Sequence, residues 1–339
     1  MPETTGTDNP TPQRIMQMAW GYAPPLIIEA AIKNRIFDVL DSGPKTLDEI
    51  SRVTGAAPRG VRAAAEALVG IELLTRDAQG RFGLAPESAA FLVSTKPSFQ
   101  GGIFKHVSTQ LVPKWLTLDE IVRTGKPSRA VNEAEGAEFF EQFVEDIFPM
   151  SYAATQVLAD ELKLAQAKQP VRVLDIASGS GVWGIGLAQR SPQVRVTAVD
   201  WPGVLKVTKR IAEKFKVADR FTYVVGNMHE ADYGKDHHVA TLGHILHSEG
   251  EAGSRKLLKK VAAALAPGGT IAIAEFLTNE ARTAPPQSLL FGVNMLVNTD
   301  QGDVFSFKQI SEWLREAGFE SARTLDAPGP SPLILASRR

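Results

Sequence analysis

The sequence predicts an α/β protein with a Rossmann-like sheet of seven strands, mostly parallel, that ends in a C-terminal antiparallel hairpin. A mainly α-helical, winged-helix-like domain precedes it. Three observations support this prediction. Residues 171–188 have the pattern of a buried strand, a glycine turn and a helix. Short apolar strands then alternate with amphipathic helices, and residues 12–95 follow the order helix, turn, helix, hairpin.

Length and composition limit the possible function classes. The chain has 339 residues, of which 44% are hydrophobic and 22% charged, enough for two domains with full cores. Its net charge of −1 gives no electrostatic reason to expect nucleic acid or an anionic membrane as a partner. Without cysteine, disulfides and thiolate metal sites are excluded. No apolar run approaches the roughly 20 residues of a membrane span, and the polar start lacks signal-peptide features, so we expect a cytoplasmic protein.

We expect four segments along the chain. They are a disordered tail (1–11), a winged-helix-like dimerisation domain (12–100), a helical connector that roofs a pocket (101–165) and a ligand-binding α/β domain (166–339).

The pattern of the N-terminal domain predicts a dimerisation surface. Thr46 to Glu49 has the pattern of a capping box, which begins a helix. Pro58 to Val69 is predicted to form a second helix, and residues 73–84 a β-hairpin. Winged helices often bind DNA, but residues 1–100 contain ten Lys or Arg against eleven Asp or Glu. Because DNA binding needs a concentrated basic face, pairing of two copies is the better interpretation.

The connector is rich in large apolar side chains and runs directly into the α/β domain. Core packing explains most of them. The last turns are nevertheless candidates for a pocket roof, through Phe148, Met150, Ser151 and Tyr152.

The glycine turn predicts the cofactor. Gly179, Gly181 and Gly184 match the dinucleotide fingerprint, but Asp175 stands just before them. A carboxylate there would repel a pyrophosphate and would suit the ammonium and sulfonium of S-adenosylmethionine. The alternative is that Asp175 only caps the turn.

The next strands add candidate cofactor contacts. Asp200 ends the second strand, 19 residues after Gly181, and its carboxylate suits a ribose diol. Trp201 is a candidate for stacking on adenine, with plain packing as the alternative. Gly226, Asn227 and Met228 follow the third strand and either surround the adenine or form an ordinary turn.

His247 is expected at the ligand rim, because it follows the fourth strand. Ser248 to Glu251 has the pattern of a capping box that opens the next helix, and the fifth strand ends at Glu275. Four histidines in residues 237–247 raise the question of a metal. Their spacing and the lack of nearby paired carboxylates argue against one, so no metal is expected, and His244 is interpreted as a pocket wall or a packed residue.

Taken together, these segments resemble the class I S-adenosylmethionine-dependent O-methyltransferases of small-molecule secondary metabolism, which have an N-terminal dimerisation domain. Hydroxyneurosporene, bacteriochlorophyll-pathway and polyketide enzymes belong to this group. The resemblance covers residues 12–339 and rests on five segments in order: 174–181, 198–202, 226–228, 244–247 and 265–269.

The resemblance implies roles for individual residues. His247 matches the general base and Glu275 the carboxylate that orients it. The chain departs from the family pattern at Gly243 and at Ser248-Glu249, and the position of a second orienting carboxylate falls near Val304, beside Asp303. The implied cofactor contacts are Asp175, Ala177, Gly179, Gly181, Asp200, Trp201, Gly226, Asn227, Met228 and Ser151.

The acceptor is expected to be a small, largely apolar, aromatic or polyketide-like hydroxyl compound, and the chain a homodimer. Alternatives are a C- or N-methyltransferase, a methyltransferase fold diverted to a reaction without methylation, or a DNA-binding regulator that senses a small molecule. The candidate acceptor-binding residues are His244, Phe148, Met150, Tyr152, Phe291, Asn294, Met295 and Asn298.

Overall fold

A computed structural model describes residues 10–127 and 137–339. The chain forms two compact units that divide between Leu111 and Val112. The helical segment expected over 101–165 is therefore shared between them.

The first unit contains the predicted helix–turn–helix–hairpin. Thr46 caps the helix over Leu47–Thr54 through a complete capping box, in which Glu49 N donates to Thr46 Oγ1 and Thr46 N donates to the Glu49 carboxylate over 2.7 Å. Its regular elements are α1 (Gln13–Met18), α2 (Ala23–Lys33), α3 (Ile36–Leu40), α4 (Leu47–Thr54), α5 (Pro58–Gly70), β1 (Leu74–Arg76), β2 (Phe82–Leu84), α6 (Pro86–Phe91), a 3₁₀ helix (Gly101–His106) and a π-helix (Val107–Leu111).

The core of the first unit collects the apolar faces of α2, α3, α4 and α5 against the hairpin. Phe37 and Phe82 are its largest fully buried side chains. β1 and β2 pair antiparallel, with Leu74 opposite Leu84. The predicted helices and hairpin are therefore confirmed.

The second unit alternates strands and helices after a long helix, α9, which contains Pro149. Its elements are α7 (Val112–Trp115), α8 (Leu118–Thr124), α9 (Ala137–Glu161), β3 (Val171–Ile176), α10 (Val182–Arg190), β4 (Val194–Asp200), α11 (Pro202–Lys214), β5 (Phe221–Val225), β6 (His237–Gly243), α12 (Leu246–Ala264), β7 (Leu265–Ala274), β8 (Leu277–Thr278), α13 (Pro286–Asn298), β9 (Phe305–Ser306), α14 (Phe307–Glu316), β10 (Phe319–Leu325) and β11 (Leu333–Arg338). Two 3₁₀ helices, Leu164–Gln166 and Ala218–Arg220, complete it.

The seven-stranded sheet has the order β10-β11-β7-β6-β3-β4-β5. Strands β7, β6, β3, β4 and β5 are parallel, whereas β11 pairs antiparallel with β7 and β10 antiparallel with β11. The central strand β3 therefore has a parallel neighbour on each side, and the chain changes winding direction there. Open α/β sheets bind ligands at such a switch point, at the carboxyl ends of the strands.

The sheet is buried on both faces. One apolar cluster packs α9, α10 and α11 against one face and includes Val173 and Val196. The other packs α12 and α14 against the opposite face and includes Leu174 and Trp313. This arrangement explains the apolar runs of the central strands and leaves their carboxyl ends as the edge where polar groups collect.

Helix α12 begins differently from the prediction. The capping box at Ser248 to Glu251 is wrong, because the helix begins at Leu246 and the Ser248 hydroxyl donates to Ile245 O over 2.9 Å. Gly250 interrupts the helix with φ +64° and ψ −178°. His247 therefore lies in a single turn, and the longer part of α12 starts only after Gly250.

Candidate active site

The glycine turn between β3 and α10 has an unusual backbone. Gly179 and Gly181 have φ of +56° and +76°, and Ala177 has φ +50° although it carries a Cβ. A Cβ on Gly181 would lie 2.6 Å from Thr208 Cγ2, so no larger residue fits there. The Ser178 hydroxyl in this turn is buried and has no hydrogen-bond partner among the described residues. A glycine turn followed by a helix N-terminus leaves backbone N–H groups for a ligand.

Asp175 lies at the end of β3, directly before this turn. It is fully buried, and its carboxylate accepts hydrogen bonds from Gly184 N over 2.9 Å and from Thr241 Oγ1 over 2.7 Å. Burial raises the pKa of Asp175 to about 7, against the lowering effect of these two bonds. These two bonds tie the end of β3 to α10 and β6, and the direct contact of this carboxylate with the cofactor stays a prediction. Because of the raised pKa, repulsion of a pyrophosphate cannot rest on a permanent charge here.

Asp200 joins the glycine turn to the end of β4. Its carboxylate accepts from Gly179 N over 2.8 Å and from Trp201 N over 2.7 Å. Burial raises the pKa of Asp200 to about 6, against the two backbone hydrogen bonds, which lower it. Because each carboxylate oxygen has a second lone pair, Asp200 still has acceptor capacity for a diol. Trp201 is half-buried and precedes α11.

The loop after β5 lies beside Asp200, since Gly226 N donates to Asp200 O over 3.0 Å. The Asn227 side-chain oxygen accepts from His229 N over 2.8 Å, which leaves its amide N–H groups for a ligand. Met228 is half-buried. The His229 ring, which sequence reasoning missed, contacts the Glu249 carboxylate over 2.5 Å and so links this loop to the first turns of α12.

Helix α9 approaches the turn from one side. A Cβ on Gly179 would lie 3.5 Å from Val144 Cγ1, a contact that sequence reasoning did not identify. Ser151 is buried and follows Val144 by two helical turns, on the same face of the helix. Its expected contact with the cofactor stays a prediction.

His247 and Glu275 meet at the carboxyl edge of the sheet. The His247 Nδ1 atom lies 2.7 Å from Glu275 Oε1, and His247 N donates to Glu275 Oε2 over 3.1 Å. Glu275 is fully buried, and His247 is 8% exposed. Because the carboxylate accepts from Nδ1, the imidazole presents Nε2 as its basic nitrogen.

The groups around Glu275 keep its carboxyl ionised. Burial opposes ionisation of the Glu275 carboxyl, but the charge of protonated His247, the hydrogen bond from its ring and the Phe276 N–H outweigh it and lower the pKa of Glu275. The result is an anion that fixes the histidine tautomer and stabilises an imidazolium.

Aromatic rings surround the imidazole. The Phe291 ring lies edge-on to His247 with centroids 4.8 Å apart, and Phe276 stands 4.1 Å from Phe291. His244 lies 5.1 Å from Phe276 and 6.5 Å from His247. The sequence analysis missed Phe276, although its position directly after Glu275 at the end of β7 is the signal that places it here.

Two of the expected roof residues lie elsewhere. Phe148 stacks on Phe215 with centroids 5.1 Å apart, and Tyr152 stacks on both rings. The Tyr152 hydroxyl donates to Gln189 Oε1 over 2.7 Å. These two side chains pack α9 onto α10 and α11, so their expected acceptor contacts are corrected to core packing. Met150 is half-buried and stays a prediction.

The polar residues of α13 already have protein partners. Asn294 Oδ1 accepts from Trp115 Nε1 over 3.3 Å, and Asn298 Oδ1 accepts from Lys114 Nζ over 2.8 Å. Met295 is buried. These bonds join α7 to α13. The side-chain oxygens of the two asparagines therefore bind protein groups, in place of the acceptor contacts that were expected of them.

Asp303 supports His247 through the backbone. Asp303 N donates to the His247 carbonyl over 2.9 Å, while its carboxylate accepts from Arg282 over 2.7 Å. The family resemblance implies a position near Val304 for a second carboxylate that orients the imidazole. The structure instead gives that segment a backbone contact.

The described residues show neither a metal cluster nor a membrane-spanning helix. In residues 10–127 and 137–339, no three or more His, Asp or Glu side chains are arranged to hold a metal ion. Across the same ranges, no helix combines the length and apolarity needed to cross a bilayer.

Comparison with known protein families agrees with this geometry. Residues 115–320 match the O-methyltransferase domain, which is more than half of the chain. The chain belongs to the O-methyltransferase family. Residues 16–94 also match the O-methyltransferase dimerisation domain. The expected family, enzyme class and fold are therefore confirmed, and with them the S-adenosylmethionine cofactor at the level of the family.

Several proteins are similar to this chain over nearly its whole length. The 3-hydroxy-5-methyl-1-naphthoate 3-O-methyltransferase of Streptomyces sahachiroi is 27% identical over 94% of this chain and 92% of its own. The tetracenomycin polyketide synthesis 8-O-methyl transferase of Streptomyces glaucescens is 26% identical over 96% and 97%. A crystal structure assigned as an O-methyltransferase, from Nostoc punctiforme, superposes with a TM-score of 0.88 at 27% identity, covering 98% of this chain and 100% of that one.

The human N-acetylserotonin methyltransferase, solved in complex with S-adenosylmethionine, shares the fold. Its TM-score is 0.83 at 21% identity, over 98% of this chain and 99% of that chain.

Proposed function

We propose that this protein transfers a methyl group from S-adenosylmethionine to a hydroxyl of a small aromatic or polyketide-like molecule, with His247 as the general base. The observation that carries the proposal is the His247–Glu275 pair, held at 2.7 Å at the switch-point edge where the glycine turn also lies. An oriented imidazole beside a cofactor turn is the arrangement that proton removal during group transfer requires.

The residues of the turn fit S-adenosylmethionine. Gly179 and Gly181 leave the backbone open to the methionine part, with Asp175 supporting the turn from below. Asp200 has acceptor capacity for the ribose hydroxyls. The Asn227 amide and the Met228 side chain are proposed to contact the adenine, and Trp201, Gly226, Ala177 and Ser151 complete the proposed set.

His247 has to remove a proton from a weak acid. A phenol has a pKa near 10, against about 6.5 for an ordinary histidine, so complete transfer before reaction is uphill. S-adenosylmethionine supplies a methyl group on a positively charged sulfur. His247 Nε2 then accepts the proton as the acceptor oxygen becomes nucleophilic, and Glu275 stabilises the imidazolium.

The acceptor is proposed to be aromatic. Phe276 and Phe291 stand beside the His247 ring, with centroids 6.1 and 4.8 Å away, and aromatic walls favour flat apolar ligands. The naphthoate and tetracenomycin relatives act on compounds of this kind by their names. The protein is further proposed to act as a homodimer in the cytoplasm, with residues 16–94 pairing two copies.

The test is a methyl-transfer assay with S-adenosylmethionine and a panel of naphthols and hydroxynaphthoates. We expect S-adenosylhomocysteine and an aryl methyl ether in equal amounts, identified by mass spectrometry. His247→Ala should lower turnover by a factor of about 100 to 10,000. Its affinity for S-adenosylhomocysteine, measured by calorimetry, should stay nearly unchanged.

A matched pair of variants tests the orienting carboxylate. Glu275→Gln should lower turnover strongly, whereas Glu280→Gln, at a side chain that is 67% exposed, should not. Methylation on carbon or nitrogen, consumption of the substrate without S-adenosylhomocysteine, or full activity of His247→Ala would each contradict the proposal.

A further inference from the structure

A second histidine, His244, is held beside His247 in a constrained conformation. It follows β6 with φ +58°, a left-handed backbone conformation that residues other than glycine rarely adopt. His244 N donates to Ala274 O over 2.9 Å, which ties this residue to the end of β7. Such conformations persist where the surrounding structure fixes them, and they concentrate at functional sites.

The His244 ring is also anchored. Its Nε2 lies 2.8 Å from Ser331 Oγ, in the connection between β10 and β11. Within residues 10–127 and 137–339 its Nδ1 makes no hydrogen bond, and this atom is not among the fully buried unpartnered ones. One ring nitrogen therefore fixes the imidazole, and the other is left for a ligand.

The ring is neutral at physiological pH. Burial lowers the pKa of His244 to about 4, against the charge of Glu275, which raises it. A neutral imidazole offers either a donor or an acceptor and does not repel the imidazolium that forms at His247. His244 is therefore suited to hydrogen bonding rather than to proton removal.

We propose that His244 is a second hydrogen-bonding site for the acceptor, and that the pocket selects aromatic compounds with two neighbouring oxygen groups. One hydroxyl lies at His247 and is methylated, and the adjacent hydroxyl or carbonyl oxygen bonds to His244. This inference rests on the proposed function of His247.

The distances support a pair of neighbouring oxygens. The two imidazole centroids are 6.5 Å apart, with Phe276 in contact with both rings. Oxygens on adjacent or peri carbons stand about 2.8 Å apart, and each hydrogen bond to a ring nitrogen adds about 2.9 Å. A bent chain of two such bonds spans the gap, with one oxygen of the pair at each ring.

The experiment compares 2,3-dihydroxynaphthalene with 2-naphthol. Calorimetry on the S-adenosylhomocysteine complex measures binding, and the transfer assay measures kcat/KM. We expect the unaltered protein to prefer the diol by about tenfold, the value of one well-placed hydrogen bond. His244→Phe keeps the aromatic packing and should lose this preference, measured as the ratio of the affinities for the two ligands.

His244→Asn should restore part of the preference, and Ser331→Ala, which releases the ring anchor, should reduce it. Because these variants are compared by the ratio of two ligands, a purely structural role of His244 would weaken both ligands equally and overturn the inference. Equal binding of the two ligands by the unaltered protein would overturn it as well. Binding of the diol without methyl transfer to either ligand would instead contradict the proposed function. The ratio of the two affinities, measured by calorimetry, would then still test the role of His244.

Discussion

At the scale of single residues, the site includes a carboxyl group that burial disfavours in its charged form. Asp175 is fully buried, and its pKa is raised to about 7 by burial. Since the folded protein binds this proton more tightly than the unfolded chain, folding is favoured at low pH. The advantage is fully present below pH 3.8 and is lost as the pH rises through about 7.

Asp175→Asn should therefore stabilise the protein most at high pH. The amide can accept from Gly184 N and donate to Thr241 Oγ1, so it keeps both hydrogen bonds without a buried charge. The gain should be on the order of 4 kcal/mol above pH 7, since each tenfold change in proton affinity is about 1.4 kcal/mol, and it should shrink toward pH 4. Chemical denaturation from pH 4 to 8 measures it.

The matched control is Asp219→Asn, at a side chain that is 81% exposed. Its effect should not vary in this way with pH. A difference between Asp175→Asn and the unaltered protein that stays constant across the range would show that burial does not govern this carboxyl group.

At the scale of secondary-structure elements, Gly250 decides where His247 lies. Its φ of +64° and ψ of −178° belong to a region that is essentially open only to glycine. A Cβ there would lie 2.3 Å from Gln301 O. The break separates the turn that carries His247 from the rest of α12, so the orientation of the base does not follow the axis of the long helix.

Gly250→Ala should disturb both stability and catalysis. We expect a loss of about 2 kcal/mol from backbone strain, and a fall in kcat larger than the change in affinity for S-adenosylhomocysteine. Thermal unfolding, the transfer assay and calorimetry provide the three readings.

Gly60→Ala is a suitable comparison, because this glycine lies inside α5 and an added Cβ has no atom within 4 Å. It should stabilise the first unit by about 0.5–1 kcal/mol. If Gly250→Ala were equally well tolerated, the helix break would have no part in placing His247.

At the scale of the whole molecule, the first unit exposes large apolar side chains close together in sequence. Met18 is 64% exposed and Trp20 68% exposed, and Ile15, Met16 and Tyr22 are also exposed. Residues 16–94 match the dimerisation domain. Exposed apolar patches of this kind mark interaction surfaces, so this segment is the one we expect a second copy to cover.

Met18→Ser with Trp20→Ser should shift the protein from dimer to monomer. Sedimentation equilibrium across a concentration series measures the change, which we expect to be at least tenfold in the dissociation constant. Val225→Ser, at an apolar side chain of the second unit that is 61% exposed, should leave the association unchanged. A monomeric unaltered protein, or a double variant that dimerises normally, would contradict this expectation.

The fold, and the meeting of His247 with Glu275, follow from patterns that are local in the amino-acid sequence. Strand, glycine turn and helix are encoded locally by apolar runs and small residues, and the carboxyl ends of parallel strands must meet at one edge. His247 and Glu275 each follow such a strand, and they lie together for that reason.

What each side chain of the site contacts is visible only in the folded protein. Asp175 lies under α10, Phe148 and Tyr152 pack in the core, and His244 stands beside Phe276 and His247. Helical and strand periods fix which residues share a face, but not which neighbour that face meets. That choice depends on contacts between distant segments, and on left-handed backbone positions such as His244 and Gly250 that long-range packing imposes.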